Sequence, residues 1–335
     1  MLIYCWIRYV FDSVDSEGSS SLNVWIAVML MLFSTAEDPR PSAPSLGLSV
    51  DGSPLPRHRL AFVAMPGDSV TLSASPDSSW SADSLTWTLP GGRRAEGATA
   101  GFRMPRSHGV WTLRAEDGSR SETYTVIAPV ESCRWRTTTL NSFPIGFYGD
   151  GNNRRHLPDC FVELMPCDME RRVSTHLTLG QFLCHTEGSF PQYMVLQLEL
   201  ADKLEAVLAQ VIREYPEACD IHNISGFRTP VYNASIGNET SFSQHLYGGA
   251  ADVWIESFPA NGLMDDIDRN KRVDVFDGER LVEIVRQVEA RGEAQVGGAS
   301  AYRWNRAHGP FVHIDVRGSA ARWNTARNLV ANPVI

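Results

Sequence analysis

Three features are scarce in this sequence of 335 residues: basic charge, cysteine and long apolar runs. Lys and Arg number 30 against 39 Asp and Glu, so nucleic acid is not expected as a main partner. Six cysteines are too few for a disulfide scaffold. The apolar run Val24–Phe33 has ten residues and is too short to span a bilayer. What remains is a globular protein of about two domains.

The apolar run has the features of a secretory signal. It is followed by the small residues Ser34 and Ala36, as a signal-peptidase site requires. We predict a signal-peptide-like leader at 1–36, a linker at 37–45 and a protein that is exported to the periplasm or outside the cell, with no stable membrane span. A buried helix or short anchor is the alternative, because the residues before the run are acidic. The five cysteines after the leader then predict two disulfides and one free thiol.

Short alternating apolar segments follow between residues 46 and 130, separated by turns that contain Pro and Gly. These segments are Val70-Leu72-Ala74, Leu85-Trp87-Leu89, Trp111-Leu113-Ala115 and Tyr124-Val126. This spacing predicts an all-β sandwich that resembles an Ig-like domain. It contains no titratable cluster, which favours a spacer or adhesive role. Residues 131–173 are irregular and contain three cysteines, and we interpret them as a connector.

A helical periodicity begins in the last part of the chain, at 174–335. Apolar residues recur at steps of three and four over 195–214, and a second such pattern over 279–291 ends before Gly292. Two alternating segments near Asp252 and His313 predict strands. We therefore predict an α+β domain, in which helices cover one face of an antiparallel sheet.

The two predicted strands carry polar side chains on the face away from their aliphatic residues. If the aliphatic faces pack on the helices, four groups converge on one side of the sheet: His245, Asp252, His313 and Asp315. Two imidazoles and one carboxylate form a zinc ligand set that leaves a fourth position open for water. Zinc in such a site lowers the pKa of that water from 15.7 toward about 7.

Three motifs occur in order: Ser225-Gly-Phe-Arg228-Thr-Pro230, Ser243-x-His245-x-x-Gly248-x-Ala250-x-Asp252 and His313-x-Asp315. They resemble the zinc D-alanyl-D-alanine peptidase family, whose fold is shared with lysostaphin-type enzymes and the Hedgehog signalling domain. The resemblance runs from about Ser174 to about Trp323. It implies a zinc peptidase that cuts peptidoglycan peptides.

The resemblance also implies roles for individual residues. It implies that His245, Asp252 and His313 are zinc ligands. Arg228 would pair with a substrate carboxylate, which suits the planar fork of a guanidinium. Ser243 would donate a hydrogen bond to the substrate or support the ligands; a plain turn hydroxyl is the alternative.

The general base departs from the family pattern. Several members carry Glu or Asp three residues before the last His ligand, where this chain has Pro310. His308 or Asp315 could instead handle protons. Asp315 could also orient the imidazole of His313.

An acidic loop adds a possible second cofactor, calcium. Oxygen-bearing residues stand at positions 1, 3, 5, 9 and 12 of an EF-hand-like pattern: Asp266, Asp268, Asn270, Asp274 and Asp277. Lys271 occupies the position where that template has Gly, and a solvated loop is the alternative.

We therefore expect a monomeric zinc peptidase of carboxypeptidase or endopeptidase type that acts on peptidoglycan stem peptides. Two alternatives remain open at the level of sequence. The first is an inactive zinc-containing module that binds cell wall. The second is a calcium-dependent surface adhesin.

Overall fold

The structure is a computed structural model that describes residues 46–77, 80–81, 84–131, 138–148, 157–185, 190–238, 242–304 and 308–323. The predicted leader and linker lie outside these residues, so their assignment stays a prediction. Within the described ranges, no helix is long and apolar enough to cross a membrane.

The first part of the described chain forms two sheets around one core. The first has the order β2-β1-β4-β7, and the second has the order β3-β9-β8-β5-β6. The strands are β1 (Leu46–Val50), β2 (Ser53–Pro54), β3 (Ala61–Val63), β4 (Ser69–Pro76), β5 (Thr86–Thr88), β6 (Arg94–Glu96), β7 (Thr99–Arg103), β8 (Gly109–Glu116) and β9 (Ser121–Ala128). Neighbours pair antiparallel, except β3 with β9, which is parallel.

The predicted alternation accounts for the core between these sheets. Leu72, Trp87 and Leu113 are fully buried, because each points inward from its strand. The buried Tyr124 donates its hydroxyl to the carbonyl of Leu46 at 3.0 Å. The two-sheet architecture agrees with the predicted all-β part, while its assignment as Ig-like stays a prediction.

The segment interpreted as a connector contributes strands and core residues to the next domain. Its strands, with the one that follows them, are β10 (Val130–Glu131), β11 (Thr139–Leu140), β12 (Phe143–Pro144), β13 (Cys160–Leu164) and β14 (Gln192–Met194). Strand β13 pairs with both β10 and β14. Phe161 and Val173 are fully buried in the larger of the two hydrophobic clusters.

The cysteines of this segment correct one prediction. Cys160 and Cys167 are free thiols. Two disulfides would need four of the five cysteines after the leader, so the prediction of two disulfides is wrong.

The C-terminal domain is a five-stranded sheet with the order β15-β16-β18-β17-β19. Its strands are β15 (Ala218–Ser225), β16 (Ala250–Ser257), β17 (Gly298–Tyr302), β18 (Phe311–Asp315) and β19 (Ala321–Arg322). Its helices are α1 (Leu198–Glu214), α2 (Pro230–Ser235) and α3 (Val275–Ala290), with 3₁₀ helices at Pro166–Asp168, Leu179–Phe182 and Gln244–Tyr247. The sheet is antiparallel apart from β17 with β19.

Helices α1 and α3 pack together against the aliphatic face of this sheet. Leu204 and Val207 of α1 lie in the predicted apolar stripe and are fully buried. Asp274 begins α3 by accepting a hydrogen bond from the backbone N–H of Phe276 at 2.8 Å, and Gly292 follows the helix with a φ of 69°. The architecture is α+β, and its opposite sheet face stays available for a site.

The two-sheet domain is joined to the C-terminal domain by backbone and side-chain contacts. The N–H of Leu60 donates to the carbonyl of Val173 at 2.9 Å, and the N–H of Thr175 donates to the carbonyl of His58 at 2.9 Å. Asp202 of α1 accepts from His58 at 3.0 Å and from Nε of Arg59 at 2.9 Å. Residues 46–323 therefore belong to one compact unit.

We expect Asp202→Ala to lower the free energy of unfolding by about 1–3 kcal/mol, because it leaves Arg59 mostly buried without its partner. Denaturant unfolding of the full chain measures this change. The matched control is Glu283→Ala, which removes an exposed pair with Arg286 on α3 and is expected to cost less than about 0.5 kcal/mol. Equal effects of the two variants would contradict a stabilising junction.

The same pair predicts a pH dependence. Burial alone would raise the pKa of Asp202, but hydrogen bonds from His58 and Arg59 outweigh it and lower that pKa. A carboxylate with a lowered folded pKa stabilises the fold above its unfolded pKa of about 3.9, and this stabilisation is lost as the pH falls through the folded value. We expect the difference in unfolding free energy between wild type and Asp202→Asn to shrink below about pH 4.

Candidate functional site

A cavity of about 1010 Å³ opens on the sheet face opposite the helices. His245, Asp252 and His313 line it together with Arg228, Ser243 and His308. Six of the residues predicted from the motifs therefore share one cavity.

The backbone explains how three of these side chains meet. Asp252 on β16 stands directly opposite His313 on β18 in the antiparallel register. His245 comes from the 3₁₀ helix that precedes β16, and Gly248 ends that helix with a φ of 63°. A Cβ on Gly248 would lie 2.1 Å from the carbonyl oxygen of Val195, so only glycine fits at this motif position.

The residues around Arg228 are also held by local structure. A Cβ on Gly226 would lie 2.6 Å from the Cα of Phe182, so the chain passes closely there. Thr229 begins α2 by accepting from the N–H of Tyr232 at 3.1 Å, and Pro230 occupies the first helical turn. These contacts fix the path of the backbone on either side of Arg228.

The three candidate ligand atoms are mutually close. Nε2 of His245 lies 3.1 Å from Nδ1 of His313 and 3.3 Å from Oδ1 of Asp252. Nδ1 of His313 lies 3.1 Å from the same oxygen. Zinc bonds of about 2.0–2.2 Å place neighbouring tetrahedral ligands about 3.3–3.6 Å apart, which is close to this spacing.

Hydrogen bonds behind the two imidazoles set their tautomers. Nδ1 of His245 donates to the carbonyl of Gly226 at 2.6 Å, which leaves the lone pair on Nε2. Nε2 of His313 donates to Oδ2 of Asp315 at 3.1 Å, which directs Nδ1 toward the other two ligand atoms. Two nitrogens and a carboxylate oxygen therefore face one point, and this electron-rich set fits a divalent metal ion.

The electrostatics of the group favour positive charge at that point. Burial would raise the pKa of Asp252, but His245 and His313 hold it well below its usual range. Burial lowers the pKa of His245. Burial would also lower the pKa of His313, yet hydrogen bonds to Asp252 and Asp315 raise it. A bound metal would replace the proton that these carboxylates favour on His313.

Arg228 lies beside the ligand group. It donates from Nε to Oγ of Ser225 at 2.8 Å and from a terminal nitrogen to Oδ2 of Asp252. Arg228 thus holds the carboxylate of a candidate ligand and still lines the cavity.

Asp315 lies behind His313 and is fully buried. Its carboxylate accepts from the N–H of Gly298 at 2.6 Å and from Nε of Arg317 at 2.9–3.0 Å. A Cβ on Gly298 would lie 2.3 Å from Oδ2 of Asp315, so the two glycines at 297 and 298 leave room for this carboxylate. The geometry favours the orienting role of Asp315 over direct proton transfer.

His308 and Ser243 lie elsewhere on the cavity wall. Nδ1 of His308 lies 2.8 Å from the carbonyl oxygen of Gly309, and the ring packs edge-on against Phe311. Ser243 precedes the 3₁₀ helix that carries His245. Both residues line the cavity.

The acidic loop brings together three of its five predicted calcium ligands. The carboxylates of Asp266, Asp268 and Asp277 lie within 4.8 Å of one another. Asp274 instead caps α3, and the amide nitrogen of Asn270 donates to Asp268 at 2.8 Å. Backbone N–H groups satisfy the carboxylates of Asp266 and Asp277. These contacts account for the loop without an ion, and calcium binding gains no support from them.

The cavity also contains residues that the motifs do not identify. Arg317, Tyr302, Trp323 and His185 line it. The pair Gly297-Gly298 is the one sequence feature that could have indicated this part of the site. Glycine at the start of a strand indicates that another part of the protein approaches the backbone closely. The sequence does not show that the group close to these glycines is the carboxylate of Asp315.

Comparison with known families agrees with this geometry. Residues 175–280 match the family model described as Peptidase M15. This stretch is therefore similar to the peptidase M15 family. This finding confirms the resemblance to the zinc D-alanyl-D-alanine peptidases and supports a metallopeptidase. The M15 match includes Arg228, Ser243, His245 and Asp252, whereas His308, His313 and Asp315 follow it. No curated protein sequence matches the chain.

M15 peptidases are zinc-dependent, so the ligand group predicts a metal stoichiometry. We expect His245→Ala and His313→Ala each to lose the bound zinc, because two remaining ligands hold it too weakly. Plasma mass spectrometry of dialysed full-length protein measures the content. The control is His222→Ala, which removes a histidine of β15 that pairs with Glu256 instead. Full zinc content in either ligand variant would make the ligand assignment wrong.

A second expectation separates the two roles of Asp315. If Asp315 orients His313, then Asp315→Asn weakens zinc binding by about 10–100-fold. Competition with a chelator measures the affinity, and circular dichroism verifies the fold. Unchanged affinity with a reduced turnover number would instead assign Asp315 to proton transfer.

Proposed function

We propose that this protein is a zinc-dependent peptidase that hydrolyses peptide bonds in peptidoglycan stem peptides or cross-links. The observation that carries the proposal is the convergence of three ligand atoms within 3.3 Å at the wall of an open cavity. Zinc held by such a set acts as a Lewis acid that makes water nucleophilic at neutral pH and polarises a carbonyl.

Arg228 is suited to hold the terminal carboxylate of the peptide. It uses Nε for Ser225 and one terminal nitrogen for Asp252. Its other terminal nitrogen has no hydrogen-bond partner among the described residues, and Arg228 lines the cavity that a substrate would enter. A peptide whose terminal carboxylate binds Arg228 has its last peptide bond beside the ligand group, which favours carboxypeptidase action. Endopeptidase action instead requires a groove that extends beyond Arg228 and holds further residues of the peptide.

His308 is suited to move protons. It lines the same cavity as the ligand group, and an imidazole is a side chain that serves as a general acid or base. Ser243, on the same cavity, supplies a hydroxyl donor to the substrate. Asp315 contacts the ligand His313 from behind and so contributes orientation.

The substrate lies outside the cytoplasmic membrane, so the proposed function requires export. The predicted leader at 1–36 supplies it and supports a periplasmic or extracellular location. The two-sheet domain, proposed to be Ig-like, is a spacer or an adhesive part, and the enzyme is proposed to act as a monomer.

Mass spectrometry of muropeptide digests tests the proposal. We expect the zinc-loaded full chain to release D-alanine from peptides ending in D-Ala-D-Ala, or to split cross-linked dimers. His245→Ala abolishes this release and His222→Ala retains it. Chelation stops the reaction and added zinc restores it.

The product identity separates the two cleavage types, because free D-alanine indicates a carboxypeptidase and monomers from dimers indicate an endopeptidase. If stoichiometric zinc is bound and no new amine forms across a broad pH range, the enzyme proposal is wrong. The inactive cell-wall-binding module then becomes the better interpretation.

A further inference from the structure

Arg317 places a second cationic group in the cavity, apart from Arg228. It follows β18, and its side chain is 32% exposed. Nε and one terminal nitrogen donate to Asp315. The other terminal nitrogen has no partner among the described residues. Since a guanidinium stays charged at all relevant pH values, Arg317 brings a permanent positive charge and a hydrogen-bond donor to the cavity wall.

The position of Arg317 is fixed by an aromatic support. Its guanidinium carbon lies 5.4 Å from the centroid of the Trp323 ring. The indole N–H of Trp323 donates to the hydroxyl of Tyr302 at 3.0 Å, and Oγ of Ser300 donates to the Trp323 carbonyl at 2.6 Å. A preorganised guanidinium binds an oxyanion with less loss of side-chain freedom than a mobile one.

The two arginines lie at opposite ends of one chain of contacts. Arg228 contacts Asp252, Asp252 contacts His313, His313 contacts Asp315, and Asp315 contacts Arg317. A peptide that contacts the ligand group therefore lies in a cavity whose wall carries two guanidinium groups. Arg228 and Arg317 are the two arginines that the described residues contribute to the cavity wall.

The charge balance also favours an acidic substrate. The two arginines offset Asp252 and Asp315 one for one. A bound divalent metal then leaves two positive charges at the site, which one terminal carboxylate only half neutralises. A second carboxylate would complete the neutralisation.

We propose that Arg317, supported by Trp323, binds a second carboxylate of the substrate and selects peptides with an internal acidic group. The substrate class is a wall peptide that carries free internal carboxylates in addition to its terminal one. This inference rests on the proposed function for the identity of the peptide, but binding does not require hydrolysis.

Isothermal titration calorimetry on the full-length protein tests the proposal with two stem pentapeptides ending in D-Ala-D-Ala. One has its internal carboxylates free and the other has them as carboxamides, while both keep the terminal carboxylate. We expect the wild type to bind the acidic peptide at least about tenfold more tightly, as for a charge-assisted hydrogen bond. Arg317→Gln brings this ratio close to one, and Arg317→Lys restores part of it.

Two control variants isolate the site. Arg286→Gln removes an exposed arginine of α3 and keeps the wild-type ratio. Arg228→Gln weakens both peptides by a similar factor, because both retain the terminal carboxylate. Arg317→Gln also alters the contact of Asp315 with His313. That change affects the binding of both peptides equally, so it does not alter the ratio of their affinities.

Every result decides the inference. Equal affinity of the wild type for the two peptides overturns it, as does a wild-type ratio in Arg317→Gln or no binding of either peptide. Tight, acid-selective binding without cleavage would support Arg317 and overturn the proposed hydrolysis. The wild-type comparison needs no variant and so does not depend on how Arg317→Gln folds.

Discussion

The pairing of Asp252 with His313 across two central strands is the constraint on which the site depends. One carboxylate contacts both imidazoles through Oδ1 and Arg228 through Oδ2. Its negative charge is buried, and such a charge needs partners on every side. The neighbouring strands, the 3₁₀ helix of His245 and the turn of Arg228 are all positioned by that requirement. A single register shift between β16 and β18 would move His313 to the helix-covered face.

Much of the fold was predictable because local patterns agreed with tertiary packing. Leu204 and Leu208 repeat at helical spacing, and Val253 and Ile255 alternate, so burial of one face determined each element. The three site motifs were visible for a different reason. Gly226 and Gly248 are required by close backbone approaches, which leave a recognisable sequence signal beside the ligands.

The remaining features depend on contacts between distant parts of the chain. Lys203 lies on α1 and is fully buried, where it donates to Glu289 at 2.6 Å and to the carbonyl of Asp315 at 2.7 Å. A lysine side chain is expected to be exposed, so the residue type alone does not predict this burial. Arg317 is likewise positioned by its contacts with Asp315 and Trp323, and no sequence pattern predicts these contacts. The acidic loop has the residue spacing of a calcium site. Its carboxylates instead accept hydrogen bonds from backbone N–H groups of the loop and of the start of α3.

The joint between the two-sheet domain and the C-terminal domain constrains how this protein can evolve. Ala61 and Ile127 of the first domain are buried in the larger cluster of the second. Recombination that exchanged one domain for a homologue would expose this seam and separate Asp202 from His58 and Arg59. The two domains are therefore expected to be inherited together, with matched substitutions on both sides of the seam, and not shuffled as independent modules.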